Sequence, residues 1–242
     1  MPDHVSERRG YCGQTGGVFR LQAAEDHENL VVDGRAGEAT DDLVGDDVDH
    51  FDHFDHLDHF DYGDADLEDS RFDDCSFANL NFARARFNHA TFRRTTLHGI
   101  EGGNAGFSDT VHTDVTIKSS RFVGADFSSA AMKNSTFDDC NLTLASFRFA
   151  RFTNAVFRNC NLTEVDFQGC KATKMTFERC RIEATDFSQA AFQSGTIRMC
   201  EIVSLTGVKF LSGLTIDEPA LLALARALAV SAGLRLEPEL VQ

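Results

Sequence analysis

Four histidines stand three residues apart in an acidic run: Asp49-His50-Phe51, Asp52-His53-Phe54, Asp55-His56-Leu57 and Asp58-His59-Phe60. Imidazole nitrogens at that density suit Zn²⁺ or Ni²⁺. A triplet repeat fixes no ligand geometry, and the plainer reading is a low-complexity expansion. Cys140, Cys160, Cys180 and Cys200 recur every twenty residues. A tetrahedral site needs convergent thiolates, whereas a column spreads them along a line, so small buried filler is the better account. His112 has Asp114 two residues on but no nucleophile. Gly99, Gly102, Gly103 and Gly106 do not form a phosphate-binding loop. No catalytic residue, metal ligand or cofactor follows from these features, and the expectation is a non-enzyme.

The elements that must position these residues are set by another period. From Leu67 to Ile202 a large apolar residue falls on every fifth position: Leu67, Phe72, Phe77, Phe82, Phe87, Phe92, Leu97 and onward to Phe187, Phe192, Ile197 and Ile202. Gly102, His112 and Ala172 interrupt that frame. Two residues before each large one is a mostly small one, such as Ala85, Ala90, Ala145 or Cys160. Five is neither the helical period nor the strand period, so the chain must turn a corner every five residues. The cysteine column, a threonine column (Thr96, Thr116, Thr136, Thr176, Thr196) and an aspartate column (Asp126, Asp166, Asp186) all have a period of twenty. Twenty per coil and five per side gives a four-sided coil repeated about seven times, at roughly 4.8 Å per coil. Gly102 and His112 fall close together, so a kink, loop or specific contact is expected between them.

Segments such as Ala125-Asp126-Phe127-Ser128-Ser129 and Ala184-Thr185-Asp186-Phe187-Ser188 resemble the motif of the pentapeptide-repeat family, A-[D/N]-[L/F]-x-x. The resemblance covers about residues 62–212 and implies an all-β solenoid, a right-handed quadrilateral β-helix. It also implies two functions. Most of the family are interaction scaffolds. The quinolone-resistance members mimic DNA and occupy the DNA-binding saddle of DNA gyrase, protecting it from drugs.

Charge is distributed unevenly. The chain of 242 residues has a formal charge of −15, of which −14 falls in residues 1–66 and −1 in residues 67–242. The acid-rich stretch from Asp41 to Asp66 is expected to be disordered. Residues 1–61 are thus read as a disordered acidic tail, 62–212 as the β-helix and 213–242 as a helical cap. Within the solenoid, the side centred on Phe127 sums to −5 and includes Asp109, Asp126, Asp166 and Asp186, a candidate acidic interaction face. The side centred on Phe152 sums to +4. A DNA mimic needs dense negative charge, so a two-sided rod favours a scaffold of unknown protein partner over a gyrase ligand. Direct nucleic-acid binding is not expected, because the basic side lacks aromatics for base stacking.

Asp217 is placed to N-cap a helix that Gly233 would stop. Leu221, Leu224 and Leu228 mark one apolar face of it, either a cap over the last coil or a homodimer contact. The family resemblance supports the second role, because its gyrase-binding members dimerise through C-terminal elements of this kind. The N-terminus has no apolar signal core, no stretch is long enough to span a membrane, and seven cysteines are an odd number. A cytoplasmic protein with reduced thiols is the expectation.

Overall fold

The computed structural model describes residues 62–234, together with the backbone of three upstream strands, Arg8–Cys12, Gly17–Leu21 and Val31–Asp33. The Asp-His tract and the segment 41–61 lie outside the described residues, as does the boundary expected at residue 61. Tyr62 already belongs to the first coil. It is buried and its ring lies 5.7 Å from that of Phe82.

The coil turns because every fifth residue from Asp64 to Met199 takes a left-handed backbone conformation, with φ between 46° and 69°; Ser194 is the exception. Each such residue lies two positions after an inward-facing one. Many are Asp, Asn, Ser or Gly, the types that tolerate this region best. Others are not: Leu144, Phe149 and Met199 hold the same geometry. The ladder imposes it on the first two, whose N–H groups bond to the coil ahead, Leu144 N to Thr163 O and Phe149 N to Gln168 O, both at 3.0 Å; at Met199 the Asp217 carboxylate takes that place.

Coils stack in parallel register. One side carries Arg71–Asp73, Thr91–Arg93, Val111–Thr113 and Ala131–Lys133; the next carries Cys75–Ala78, Thr96–His98, Thr116–Lys118 and Thr136–Asp138. Beyond these, both sides merge into the long strands Arg151–Arg158, Lys171–Glu178 and Ala191–Arg198. The other two sides are joined mainly by single bridges, for example Asp126 to Ser146, Ser146 to Asp166 and Asp166 to Asp186. Register slips in the last long strand, where Thr173 pairs Ser194 instead of Gln193.

Inside, the large residues form stacked columns. Phe87, Phe107, Phe127, Phe147, Phe167 and Phe187 lie 4.7, 4.8, 5.0, 5.2 and 5.3 Å apart in turn, with ring planes within 10° of parallel. That spacing is the strand spacing, so backbone ladder and ring stack share one repeat. Each buried Phe contributes about 1.5–3 kcal/mol, so these columns dominate the stability of a rod with no Trp.

The expected distortion between Gly102 and His112 is not there. Both stay in register: Gly102 N bonds to Arg121 O at 2.7 Å, and His112 pairs Phe92 and Met132. Packing absorbs both departures. A Cβ on Gly102 would sit 2.4 Å from the Phe122 ring, so that ring fills the missing side chain's volume. His112 takes a ring's place, stacked on Phe92 at 5.0 Å. The all-reduced expectation also needs amendment. Cys140, Cys160, Cys170, Cys180 and Cys200 are free and buried, but Cys75 is disulfide-bonded.

Helix α1 (Glu218–Ser231) closes the rod. Asp217 caps it through Ala220 N at 3.0 Å, and its other carboxylate oxygen accepts Met199 N at 2.6 Å, tying the helix start to the last coil. Gly233, at φ 78°, ends the helix, and Leu234 N reaches back to Ala229 O at 2.9 Å.

Candidate functional site

Two of the features considered for catalytic or metal chemistry, His112 and the cysteine column, are consumed by the core. His112 is 2% exposed, and its Nε2 lies 2.9 Å from the Thr110 hydroxyl. That hydroxyl donates to Phe107 O, so it accepts from His112 and the ring carries a proton on Nε2. Burial pushes the His112 pKa down to about 3. Asp114, which the sequence placed beside it, points outward and accepts from Asn134 Nδ2 at 2.8 Å. The cysteine column is equally internal. Cys140, Cys160 and Cys180 Sγ each donate to the carbonyl of the inward residue one coil back, at 3.3–3.5 Å. Hydrogen bonding to the Cys140 and Cys180 thiols, and then burial, hold Cys160 above the usual thiol range. Burial likewise pushes Cys170 up to about 12. Among the described residues no group of three or more His, Cys, Asp and Glu side chains is placed to hold a metal.

What the rod offers is its outer surface. Asp126, Asp166 and Asp186 do form one outward column, through the bridges given above. Asp109 is on the same side but is not in the column; it is a left-handed corner residue at φ 57°. The column also has a local task that sequence reasoning missed. Asp126, Asp166 and Asp186 each accept the backbone N–H two residues on, at 2.9, 2.7 and 2.7 Å. Asn81, Asn141 and Asn161 do the same at the equivalent position on the neighbouring side. The occurrence of Asn there was the available signal that the amide or carboxylate oxygen, and not its charge, is required. Burial lifts the Asp186 pKa, but hydrogen bonds from Ser188 and Thr206 outweigh it, so the carboxyl ends below its ordinary range. Asp166 is neutralised by Arg148 at 3.0 Å.

Elsewhere charges pair along the rod, one coil apart. Arg84 meets Asp64, Arg94 meets Asp74, Arg181 meets Glu201, and Glu178 lies between Arg158 and Arg198. Such exposed pairs contribute little individually. They do settle which charges are free to meet something else.

The apolar face expected on α1 is divided. Ala220 is fully buried, and Ala223, Leu224 and Ala227 pack on the core; Leu221 and Leu228 are exposed, at 52% and 40%. Leu222 is exposed as well, beside a groove of about 440 Å³ lined by Ile202, Val203, Pro219, Ala223 and Arg226. So Leu224 belongs to the cap, while Leu221 and Leu228 face away from it.

Two family models match the chain: pentapeptide repeats over residues 63–99 and a pentapeptide repeat region over residues 130–206. The chain is a pentapeptide-repeat protein. Several solved structures are similar to this pentapeptide-repeat protein. One is a trypsin-treated variant of QnrB1, a plasmid-mediated fluoroquinolone resistance protein, at 18% identity and TM-score 0.45, covering 75% of this chain and 92% of that one. Another is HetL, involved in heterocyst differentiation regulation in the cyanobacterium Nostoc sp. strain PCC 7120, at 15% identity and TM-score 0.35, covering 61% and 75%. A third is Rfr23 from the cyanobacterium Cyanothece 51142, at 19% identity and TM-score 0.17, covering 44% and 59%. No curated protein matches the chain in sequence. No helix among the described residues is long and apolar enough to cross a membrane.

Proposed function

We propose that this pentapeptide-repeat protein is a non-catalytic scaffold that binds another protein through the sides of its rod. One observation carries the reading. Across coils centred on residues 122 to 192, two adjacent sides keep opposite charges without neutralising them on the rod. Among the described residues Asp126 and Asp186 have no cation within 4.0 Å, and Lys133, Arg151, Lys171 and Lys174 have no carboxylate within that distance; Arg148, paired with Asp166, acts on Asp186 only from further away. Unspent charge in fixed columns steers and orients a partner.

A second reading, mimicry of DNA towards DNA gyrase, is favoured by the Asp126–Asp166–Asp186 column. Against it, Arg148 cancels Asp166, and the adjoining side is basic and would be repelled by a saddle shaped for phosphates. A supercoiling assay with purified gyrase, with and without a fluoroquinolone, separates the two. The scaffold reading expects neither inhibition nor drug protection. Inhibition by wild type that Asp126→Lys with Asp166→Lys and Asp186→Lys abolishes would establish the mimic. Homodimerisation through Leu221 and Leu228 belongs to the same proposal, because both are presented to solvent. Light scattering should then give a dimer for wild type and a soluble monomer for Leu221→Asp with Leu228→Asp; a monomeric wild type removes this element.

A further inference from the structure

The side centred on Phe72, Phe92, His112, Met132 and Phe152 is not uniformly basic. In its first coils every cation has an anion: Arg71 and Arg93 share Asp73 at 2.6 and 3.7 Å, and Arg94 meets Asp74 at 2.5 Å. Further along, the outward segments are Ala131–Asn134, Arg151–Asn154 and Lys171–Lys174, which contain four cations and no carboxylate. Arg151 lies directly opposite Lys171 in the strand pair, and Lys133 opposite Thr153. Like charges in directly opposed strand positions destabilise a sheet. Here the pair is kept, and among the described residues no carboxylate lies within 4.0 Å of any of the four cations.

Between the cations the face holds neutral hydrogen-bonding groups. Asn154 Nδ2 donates to Asn134 Oδ1 at 3.0 Å, and the Thr173 hydroxyl donates to Gln193 Oε1 at 3.1 Å. The strand spacing puts the three rows about 4.8 Å apart, so the four charges fall within roughly 15 Å. No aromatic side chain projects from these segments. The nearest exposed ring, Phe149, is on the preceding corner with Arg148 already 5.5 Å from its centroid. A flat, ring-free, cationic sheet face suits carboxylates better than bases, which need stacking platforms.

Resting on the scaffold reading, we propose that the face formed by Lys133, Arg151, Lys171 and Lys174 is the docking surface, and that its occupant is an acidic segment of a partner protein. The Coulomb repulsion held between Arg151 and Lys171 is relieved when partner carboxylates lie across the rows. The chain's own residues 41–61 carry nine Asp and no Lys or Arg, so they are the internal competitor that the test must separate.

The test uses the full chain and a fluorescein-labelled oligoglutamate, read by fluorescence anisotropy. Binding is expected at low salt and should weaken steeply between about 50 and 300 mM. Lys133→Ala with Arg151→Ala and Lys171→Ala should lose about tenfold or more in affinity, while Arg94→Gln in the neutralised half should lose none. Thermal melts check that the triple variant is folded, and the Glu-substituted triple variant should abolish binding. Equal affinity of the triple variant and wild type overturns the proposal. So does tighter binding of a labelled oligothymidine strand, which would make the face a nucleic-acid surface. A wild type that is silent until the nine Asp of 41–61 are changed to Asn would show that the chain fills its own face, and this also overturns it. Silence in both forms removes the face alone and leaves the scaffold reading to its gyrase assay.

Discussion

His112 gives the rod a dependence on pH that can be calculated from its surroundings. The ring is fully enclosed and neutral, and its pKa is lowered from 6.5 to about 3 by burial. The unfolded chain binds a proton at His112 near pH 6.5, whereas the folded chain resists until about pH 3. The stabilisation is therefore complete above pH 6.5 and is lost as pH falls below it, since the unfolded state then holds more protons. Between pH 7 and pH 5 the loss is about 2 kcal/mol, at 1.36 kcal/mol per unit once below the unfolded pKa. That figure needs only that the folded pKa lie well under 5. The window also stays above the carboxylates, whose shifts are downward for Asp64, Asp74, Glu178 and Asp186 and act at lower pH. Urea titrations at pH 7 and pH 5 measure the loss. His112→Phe should flatten the dependence, because Phe continues the ring column and Thr110 keeps its bond to Phe107 O at 2.6 Å. If the variant loses as much stability as wild type over this window, His112 is not the buried neutral group described.

Phe147→Ala should cost about 3–5 kcal/mol in chemical denaturation, since the ring is fully buried and stacked on both sides; a loss under about 1 kcal/mol would contradict the core assignment. Gly102→Ala should cost about 1–3 kcal/mol, because its Cβ meets the Phe122 ring at 2.4 Å. Phe122→Leu in the same chain should recover part of that loss, and simple additivity of the two would refute the contact. Asp217→Ala removes the α1 cap and the bond to Met199 together and should lower stability by about 1–2 kcal/mol, seen as a lower urea midpoint.

Inward residues were legible because the core repeats with them. Phe72 to Ile202 are spaced by the geometry they fill, and one chain suffices to see it. The corners were less so. The left-handed residues run from Asp64 to Phe149 and Met199, chemically unrelated, because hydrogen bonds to the coil ahead, or at Met199 to the Asp217 carboxylate, hold the backbone there regardless of side chain. Gly102 and His112 look like defects in a one-dimensional frame. They are complements in the twenty-residue frame, where Gly102 is next to Phe122 and His112 next to Phe92. The acidic column was read as charge, but its carboxylates also hold turns, a role that Asn81, Asn141 and Asn161 share without charge. On α1 the helical period marked an apolar face that includes Leu224 but could not say that the last coil meets Ala220, Ala223 and Ala227, leaving Leu221 and Leu228 outside.

The single corner residue per side makes the rod a kind of combination lock. Inserting or deleting twenty residues would lengthen or shorten it and leave every column aligned. Inserting five would keep the ladders, the corners and the inward residues in place, so the chain would still fold. Yet everything downstream would rotate by a quarter turn. Asp166 and Asp186 would swing round to continue the row of Arg151, and Lys171 would leave it. Folding is indifferent to such a step and the outer surface is not. In a lineage of such rods, changes in whole coils are therefore the ones that preserve a binding side, and quarter-coil steps are a route by which one fold acquires a new one.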